Sequence, residues 1–437
     1  MEGIDMTFKV NISLKQYNGK NAIPVVEVGQ KVKRGQTVAI PKEEGVYVHS
    51  SVTGKVTSIS EDCIEILTDA VDDKEFLPLE ITEKENLIDI VQKAGIVGMG
   101  GGGYPTYLKL KNKIKGGTVI ANGVECEPIL VHNITQMENN PELIYRGLIY
   151  VMSYLQASKG VIAIKKMNKK AIEAIEKVID RENIEIKLIE DTYPAGEERA
   201  LVAKICGVLL PPSEIPLAAN CIVLNVETLS RIAEAVEMRK PLIERNLTLA
   251  GVFNDKKVVK ALFDVPIGLS VKDLCKIKGY LLSEYDEILL GGPFMGEEGN
   301  QEFPITKKTN AVIVTPPISE KLKAKIGILV CACGAKETRL LQLVKKMGAS
   351  LVGIEKCKNL VYANGKPRCK NPGNCPGQAE KVLRLKKLNA ECLLISTCTN
   401  CTNTVVEIAE KMGLKVIHHT DHVLETLGYP LLRRIEV

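Results

Sequence analysis

The spacing of apolar positions divides the chain into four segments. Over residues 1–83, short Val- and Ile-rich runs are separated by glycine-containing turns, which predicts β-strands. Apolar runs and helical periodicity alternate over residues 84–240, as in an α/β layer structure, and short strands with one helix return over residues 241–318. Strand and helix patterns alternate again over residues 319–437. We therefore predict a multidomain α/β protein built from these four domains.

Two half-repeats in the first segment share one pattern of strand and turn. They read "VGQKV" at 28–32 and "SVTGKV" at 51–56. The repeats resemble the folded-over hairpins of a barrel-sandwich hybrid domain, the shape of biotinyl and lipoyl carrier domains. Lys42 lies between the halves beside two glutamates, without the neighbours that those carriers place around a modified lysine. The first domain is therefore predicted to dock or to support other parts rather than to carry a group.

The last segment contains an internal repeat. The stretches that begin at Ile328 and Leu393 superpose without a gap at a shift of 65 residues. Each has the pattern of a strand, a turn, an amphipathic helix and a second strand. Cys333 coincides with Cys398 in this alignment, and both follow the carboxyl end of a strand where a helix begins. Because a helix N-terminus favours a thiolate and open α/β sheets bind ligands at this edge, the repeat predicts thiol chemistry here.

Five glycines occupy six positions of the stretch "GMGGGG", residues 98–103. The spacing satisfies G-x-G-x-x-G, but the preceding residues Leu87–Val91 have helical periodicity, whereas the dinucleotide fingerprint follows a strand. We therefore predict a glycine loop between two helices, the second beginning at Pro105-Thr106, with Lys109 reaching back to an anion at its N-terminus. Without side chains, such a loop lets a planar or anionic ligand lie against main-chain N–H groups.

Composition narrows the classes of function. The chain has 437 residues, a net charge of +5, 4% aromatic residues and no tryptophan, so a base-stacking nucleic-acid surface is not expected. Apolar runs stay below the ~18 residues that span a bilayer and the first residues lack a signal-peptide pattern, which predicts a cytoplasmic protein that is not an integral membrane protein. The 13 cysteines, crowded toward the C-terminal segment, favour reactive thiols or metal ligands over a disulfide framework.

Three further segments with polar residues accompany the glycine loop in the sequence. They read "ANGVECEP" at 121–128, "YPAGEERAL" at 193–201 and "LNVETLSRI" at 224–232. Together with the glycines they make residues 20–315 resemble the region shared by the flavoprotein subunit of respiratory complex I and the RnfC subunit of ferredoxin:NAD oxidoreductase complexes. In RnfC a barrel-sandwich hybrid, a complex-I-flavoprotein-like α/β domain and an SLBB-like β-grasp domain follow in this order. The resemblance implies FMN as cofactor and NADH as electron donor.

The resemblance also implies which residues surround these ligands. The FMN contacts would be Gly98, Gly100, Gly101, Lys109, Asn122, Glu125, Gly196, Glu197, Asn225 and Thr228. Tyr104 takes the place of an aromatic residue that helps to hold the dinucleotide. Val124 stands where the flavoprotein of complex I has an acidic residue, so the pattern of the NADH site differs here.

The cysteine-rich last segment departs from RnfC, which carries two C-x-x-C-x-x-C-x-x-x-C-P runs for 4Fe-4S clusters. A front part like RnfC joined to such a segment is similar to the PrdC family, electron-transfer proteins associated with D-proline reductase. This likeness implies that electrons pass from NADH through FMN to redox cysteines and on to proline reductase or another thiol- or selenol-dependent reductase. The predicted redox cysteines are Cys331, Cys333, Cys398 and Cys401. The C-x-x-C pair of Cys398 and Cys401 is predicted to supply an accessible thiolate and its resolving thiol.

Three alternatives remain open for the same segments. One 4Fe-4S cluster would use Cys357, Cys369, Cys375 and either Cys333 or Cys331, at irregular spacing. A zinc site would use His418, His419 or His422, without a second regularly spaced pair of ligands. In the third alternative the flavin site is vestigial and the chain is a non-catalytic assembly subunit.

Overall fold

The computed structural model describes residues 7–284, 286–318 and 321–433. Seven strands come first: β1 (Phe8–Ser13), β2 (Ile23–Pro24), β3 (Lys31–Val32), β4 (Thr37–Ile40), β5 (Val48–His49), β6 (Gly54–Ile59) and β7 (Cys63–Thr68). They form one sheet in the order β1-β7-β6-β3 and another in the order β2-β4-β5. Gly54, the first residue of β6, has no room for a side chain, since a Cβ there would lie 2.3 Å from the Leu67 carbonyl oxygen of the adjacent strand.

The second domain alternates helices and strands. Its elements are α1 (Leu87–Lys93), α2 (Thr106–Leu110), β8 (Thr118–Gly123), α3 (His132–Asn139), α4 (Pro141–Leu155), β9 (Lys159–Lys165), α5 (Lys169–Glu176), β10 (Ile184–Ile189), α6 (Glu198–Cys206), a 3-10 turn (Pro216–Ala219), β11 (Cys221–Asn225) and α7 (Val226–Glu237). The strands are parallel in the order β10-β9-β8-β11. Successive strands are added on one side of β8 and then on the other, so β8 and β11 flank a topological switch point, where such sheets bind ligands at their carboxyl edge.

A mixed five-stranded sheet forms the third domain. Its elements are β12 (Glu244–Phe253), β13 (Lys256–Pro266), α8 (Val271–Ile277), β14 (Glu287–Leu290), β15 (Glu297–Gly299) and β16 (Ala311–Thr315), and the strand order is β13-β12-β16-β14-β15. The turn from β12 to β13 consists of Asn254 and Asp255, at φ angles of 49° and 61°. Asn and Asp tolerate this left-handed region best among residues with a side chain, which explains the tight hairpin.

The fourth domain contains β17 (Lys325–Val330), α9 (Glu337–Lys346), β18 (Ser350–Lys356), β19 (Leu360–Ala363), β20 (Lys366–Cys369), α10 (Ala379–Lys387), β21 (Cys392–Ile395), α11 (Thr399–Lys411), β22 (Lys415–His418) and α12 (Asp421–Leu427). Its parallel sheet has the order β18-β17-β21-β22, with a second switch point between β17 and β21. The repeat is present as β17-α9-β18 and β21-α11-β22. The boundary predicted between residues 318 and 319 adjoins residues 319 and 320, which lie outside the described residues.

The last helix connects the fourth domain to the third. Val423, Leu424 and Leu427 of α12 are buried in one cluster with Ala250 of β12 and Ile313 of β16. This packing fixes the orientation of the fourth sheet. Within the described part of the chain, no helix combines the length and the apolar character needed to cross a membrane.

Candidate functional site

The glycine loop connects α1 and α2 as predicted. The Gly98 N–H donates to the Tyr104 carbonyl at 2.9 Å, and the Gly103 N–H donates back to the Gly98 carbonyl at 3.0 Å. Gly101 and Gly103 have φ angles of +87° and +61°, which disfavour any residue with a Cβ. At Gly103 a Cβ would also lie 2.4 Å from Lys308 Cδ. Local backbone geometry therefore requires glycine at two positions of this loop.

The loop lies against the N-terminus of α7. Thr228 Oγ1 accepts from the Met99 N–H at 3.0 Å, and a Cβ built at Gly100 would lie 3.6 Å from Asn225 Cβ. Asn225 caps α7 by accepting from the Glu227 N–H at 2.9 Å. A helix N-terminus with unpaired N–H groups attracts anions. The predicted contacts Gly100, Asn225 and Thr228 are thus brought together.

The ends of β8 and β11 meet at the same place. Asn122 and Asn225 are register partners on these two strands, at the switch point of the sheet. Asn122 Nδ2 donates to the Gly196 carbonyl at 2.9 Å, which brings the loop after β10 to the same edge. Gly196 itself must be glycine because a Cβ would lie 2.4 Å from the Val124 carbonyl oxygen. The parallel strands thus bring Asn122, Gly196 and Asn225 to one edge of the sheet, although these residues are far apart in the chain.

Lys109 and Glu197 have partners that the sequence did not reveal. Lys109 Nζ donates to Glu198 Oε1 at 2.5 Å and to the Val223 carbonyl at 3.2 Å. Lys109 therefore pairs with Glu198 in this structure, and its contact with an anion at the start of α2 stays a prediction. Glu197 caps α6 by accepting from the Arg199 and Ala200 N–H groups, both at 2.9 Å. Lys109 thus contacts β11 near its carboxyl end, and Glu197 lies in the segment that follows β10.

Two half-buried glutamates follow β8, the strand that ends at Gly123. Glu125 accepts from Asn133 Nδ2 at 3.1 Å, and burial raises the pKa of its carboxyl to about 7. Glu127 accepts from the N–H groups of Phe294 and Met295, at 2.8 and 2.9 Å, and burial raises its pKa to about 8. Glu127 stands in the quoted "VECEP" string but was not predicted as a site residue. It joins the second domain to the loop after β14.

These observations are consistent with a flavin beside the loop. Nothing lies within 4 Å of a Cβ built at Gly102, so the loop faces open space there, whereas a Cβ at Gly98 would make ordinary contacts with Tyr104 at 3.8 Å. Polar side chains from the ends of two strands and the start of α7 border that space. Tyr104, 44% exposed, follows the loop at the predicted dinucleotide position. The residues present therefore fit a planar cofactor with an anionic tail.

Arg245, a buried residue that the sequence did not predict as part of the site, supports the glycine loop. Arg245 is fully buried, and its Nη2 donates to the Met99 carbonyl at 3.2 Å and to Asn310 Oδ1 at 2.9 Å. Its charge is balanced by Glu227 Oε2 at 3.3 Å. Because Arg245 lies on β12, the third domain helps to hold the glycine loop in place. A single arginine in a strand pattern gives no signal of this role.

Lys307 supports the same loop and provides a test of stability against pH. It is 1% exposed, its Nζ donates to the Gly95 carbonyl at 2.8 Å, and burial lowers its pKa to about 7. Between pH 7 and the pKa near 10.5 that Lys307 has in the unfolded chain, the unfolded chain binds more protons than the folded chain. The free energy of unfolding should therefore rise with pH by at most ~1.4 kcal/mol per pH unit. We expect the free energy of unfolding of the Lys307→Met variant to rise less steeply with pH, because methionine does not titrate. Urea unfolding of both proteins from pH 7 to pH 10 measures it, and parallel slopes would contradict the assignment.

Seven cysteines of the fourth domain form one connected group, here called the cysteine cluster. Its members are Cys331, Cys333, Cys357, Cys369, Cys375, Cys398 and Cys401. Cys331 and Cys333 follow β17, and Cys398 is the residue before α11, so the cluster lies at the switch point of the fourth sheet. Cys333 and Cys398 are thus members of one cluster, as the repeat predicted. Their turns differ in length, because α9 begins only at Glu337.

The thiols of the cluster pack against one another. Cys333 contacts Cys369 and Cys331, and Cys331 contacts Cys357. Contacts with Cys331 and Cys401 lower the pKa of Cys357 to about 3, and Gln378 Nε2 donates to the Cys357 sulfur at 3.0 Å. Cys357 therefore contacts cysteines of both halves of the repeat.

Cys401 is the branch point of the chain. Its thiol contacts Cys357, Cys375 and Cys398, and these contacts raise its own pKa. Contact with Cys401 lowers the pKa of the Cys398 thiol. Contact with Cys401 is also the largest cause that lowers the pKa of the Cys375 thiol, to about 6. The prediction that Cys398 and Cys401 supply an accessible thiolate is wrong, since they are only 3% and 2% exposed. Both are covered because α11 packs against the sheet and against the second domain.

The C-terminal histidines bond to backbone and hydroxyl groups. His418 Nε2 lies 2.9 Å from the Thr397 carbonyl oxygen, and His419 Nε2 lies 3.1 Å from the Phe294 carbonyl oxygen. His422 Nε2 lies 2.9 Å from the Pro316 carbonyl oxygen. Among the described residues, no group of three or more His, Cys, Asp or Glu side chains has the arrangement of a metal site.

The carboxyl edges of the second and fourth sheets face each other across the cysteine cluster. The Tyr193 carbonyl, which follows β10, accepts from the Thr399 N–H at 3.2 Å, and the Tyr193 ring stacks on Phe294 with ring centroids 3.7 Å apart. Arg199 Nη2 donates to the Cys369 carbonyl at 2.8 Å. Cys126, between the two half-buried glutamates, packs against the cluster. Segments that follow strands of the second sheet therefore contact the cysteine cluster directly.

Two family models match the chain. Residues 91–234 match the Nuo51 FMN-binding domain, and residues 1–71 match the barrel-sandwich hybrid domain of RnfC. The first range includes the glycine loop and every residue implied to contact FMN. The predictions of an FMN-binding domain and of an N-terminal barrel-sandwich hybrid are confirmed.

Curated relatives extend the similarity. A component of the proton-translocating ferredoxin:NAD(+) oxidoreductase complex of Clostridium ljungdahlii is 31% identical over 327 residues, 70% of each chain. A component of the Na(+)-translocating ferredoxin:NAD(+) oxidoreductase complex of Acetobacterium woodii is 31% identical over 342 residues, 74% of this chain and 76% of that one. Cobalamin reductase PduS of Salmonella typhimurium is 33% identical over 227 residues, 52% of this chain and 49% of the relative.

Among solved structures, a chain of an NAD+-reducing [NiFe]-hydrogenase aligns with a TM-score of 0.44 and 21% identity, over 53% of this chain and 46% of that one. The sequence relatives decide the classification, because the two ferredoxin:NAD(+) oxidoreductase components match along at least 70% of both chains. The two family models follow each other along the chain in the order of the first two domains. The chain belongs to the RnfC-like family of electron-transfer proteins.

Proposed function

We propose that this chain is an electron-transfer flavoprotein that takes electrons from NADH and delivers them to the disulfide of a partner reductase through its cysteine cluster. FMN, when bound at the glycine loop, supplies the exchange of an electron pair between a nicotinamide and a dithiol. The chain contributes the binding site, the proton-holding groups beside it and the thiols that lead away from it. D-proline reductase, or another thiol- or selenol-dependent reductase, is the proposed partner.

The observation that carries this proposal is the position of the cysteine cluster. Its thiols lie at one switch point, and Asn122 and Asn225 mark the other, with Cys126 and Tyr193 of the second domain packed against the cysteines. A site with only a structural role has no need of seven contacting thiols between two ligand-binding edges. Short distances between redox groups are what electron and thiol exchange require.

The proposed roles of the residues follow from their contacts. The open backbone of the glycine loop and the N-terminus of α7 bind the anionic tail of the cofactor. Glu125 and Glu127, with raised pKa values of about 7 and 8, hold protons near neutral pH beside the place where two-electron chemistry consumes them. Tyr104 lies where a dinucleotide would approach the loop. The names of the relatives from C. ljungdahlii and A. woodii include ferredoxin and NAD(+), which agrees with a nicotinamide partner.

The 13 cysteines carry free thiols. Free thiols in contact persist in a reducing compartment, and we therefore propose the cytoplasm as the location. Assembly with a partner at a membrane is compatible with this proposal, since the same two relatives belong to ion-translocating complexes.

Anaerobic titration with NADH tests the proposal. Starting from the oxidised protein with FMN bound, we expect two new thiols for each NADH consumed, because one disulfide takes up one electron pair. Thiols are counted after rapid denaturation, and peptide mapping assigns them to the cysteine cluster. NADH consumption without new thiols would contradict the relay. Detection of stoichiometric iron and acid-labile sulfide would support the 4Fe-4S alternative instead of the thiol relay. Failure to bind FMN would favour the non-catalytic alternative.

A further inference from the structure

The cysteine cluster reaches the surface at few points. Cys398 and Cys401, the pair expected to meet an acceptor, are buried, as are Cys331, Cys357 and Cys369. Only Cys333 and Cys375 are partly exposed among the seven. Thiol–disulfide exchange needs direct contact between sulfurs, so an external protein disulfide can be attacked only through one of these two.

Cys375 has the surroundings of an attacking thiol. It lies in the loop 371–378, between Asn374 and Pro376, which are both exposed. The Gly377 N–H donates to its sulfur at 3.4 Å, and a contact with Thr404 of α11 adds a second polar neighbour. Donors of this kind stabilise a thiolate. Cys333, in contrast, has Cys331 and Cys369 as its hydrogen-bonding contacts.

The loop that carries Cys375 is fixed to its surroundings. Asn400 of α11 donates to the Gly373 carbonyl, and Asn359 Nδ2 donates to the Asn374 carbonyl at 3.0 Å. These bonds hold the loop where Cys375 packs against the buried cluster that contains Cys401. An exposed thiol thus lies beside a buried one that can resolve it.

Building on the proposed function, we infer that Cys375 is the exit thiol, which attacks a protein disulfide of the partner, and that Cys401 is its resolving thiol. The Cys375 thiolate attacks one sulfur of the acceptor, a mixed disulfide forms and one acceptor thiolate leaves. Cys401 then attacks the Cys375 sulfur, its proton passes to the second acceptor sulfur and a Cys375–Cys401 disulfide forms. The acceptor gains two electrons and the chain loses two.

Competitive alkylation of the full chain tests the order of access. The protein is reduced with dithiothreitol, desalted anaerobically and treated with less than one equivalent of iodoacetamide before peptide mapping. We expect Cys375 to be labelled at least ~10-fold faster than Cys333, Cys398 and Cys401. Labelling of Cys333 before Cys375 would overturn the assignment, and so would a Cys375 that stays unlabelled because it binds iron.

A trapping experiment tests the resolving role. With less than one equivalent of 5,5′-dithiobis(2-nitrobenzoate), the unmodified chain should yield the Cys375–Cys401 disulfide, whereas Cys401→Ser should retain the thionitrobenzoate adduct on Cys375. Cys375→Ser, a change on a surface loop, should form neither product, and Cys63→Ser, a partly exposed thiol far from the cluster, should behave like the unmodified chain. Rapid loss of the adduct from Cys401→Ser would overturn the role of Cys401.

These two experiments use neither FMN nor NADH, so they separate the two proposals. If the labelling order holds and NADH produces no thiols, the exit assignment stands and the proposed source of electrons fails. If NADH produces thiols but Cys375 is unreactive, the proposed function stands and the exit assignment fails.

Discussion

Replacement of Gly100 by valine should abolish FMN binding while the chain stays folded. A Cβ at this position would make only ordinary contacts, the nearest with Asn225 at 3.6 Å, and Gly100 does not have a positive φ. The branched side chain would therefore be tolerated by the backbone but would fill the space between the loop and the start of α7. We expect a loss of affinity of at least ~100-fold, or about 2.7 kcal/mol, in fluorescence titrations with FMN.

Two further variants make this result specific. Gly102→Ala adds a methyl group where nothing lies within 4 Å and should leave FMN binding nearly unchanged. Lys109→Ala should have an intermediate effect, because Lys109 is one charged group and the loop stays intact. Gly101→Val is less informative, since its φ of +87° and the approach to Asn310 at 2.9 Å would distort the loop itself. FMN binding retained by Gly100→Val with an unchanged thermal melting curve would show that the loop has only a structural role.

Cys401→Ser should stop electron transfer to a disulfide acceptor while the flavin is still reduced by NADH. The Cys401 thiol contacts Cys357, Cys375 and Cys398, so its loss disconnects three branches of the chain at once. Serine preserves the size and the polar contacts of the side chain but cannot form a disulfide. We expect a decrease of at least ~100-fold in the rate of acceptor reduction, measured by stopped-flow absorbance together with flavin bleaching.

The matched control is Cys392→Ser. Cys392 is also buried in the fourth domain, on β21, but its thiol packs in the apolar core between the sheet and α9 and lies outside the cysteine cluster. This variant should transfer electrons at the rate of the unmodified chain, even if it is less stable. Equal loss of transfer in both variants would indicate a general disturbance of the domain, and normal transfer in Cys401→Ser would contradict the branch-point role.

Local patterns were sufficient for the secondary structure around the site. Helical periodicity before the glycine loop correctly predicted α1, and the repeat correctly predicted two β-α-β units, although only Cys398 lies directly at a helix start. Asn122 and Asn225 were implied by the family resemblance, and the parallel strands bring them to one edge despite their separation in the chain. The inferences about α1 and the repeat depend only on side-chain periodicity and turn chemistry, which nearby residues determine.

The contacts between domains had no counterpart in the sequence pattern. Arg245 supports the glycine loop from another domain, and Lys109 pairs with Glu198. Burial of Cys398 and Cys401 depends on how α11 meets the second domain, which a C-x-x-C spacing does not report.

The sequence by itself therefore determined the elements, the glycine loop and the concentration of cysteines in the last domain. Only the tertiary structure decided which thiols touch and which reach solvent. Cys357 and Cys375 join the cluster because the segment between β18 and α10 folds back over the switch point of the fourth sheet. Such contacts between distant segments follow from strand order and packing, and the exposure of a thiol is a property of the whole surface around it rather than of its neighbours in the chain.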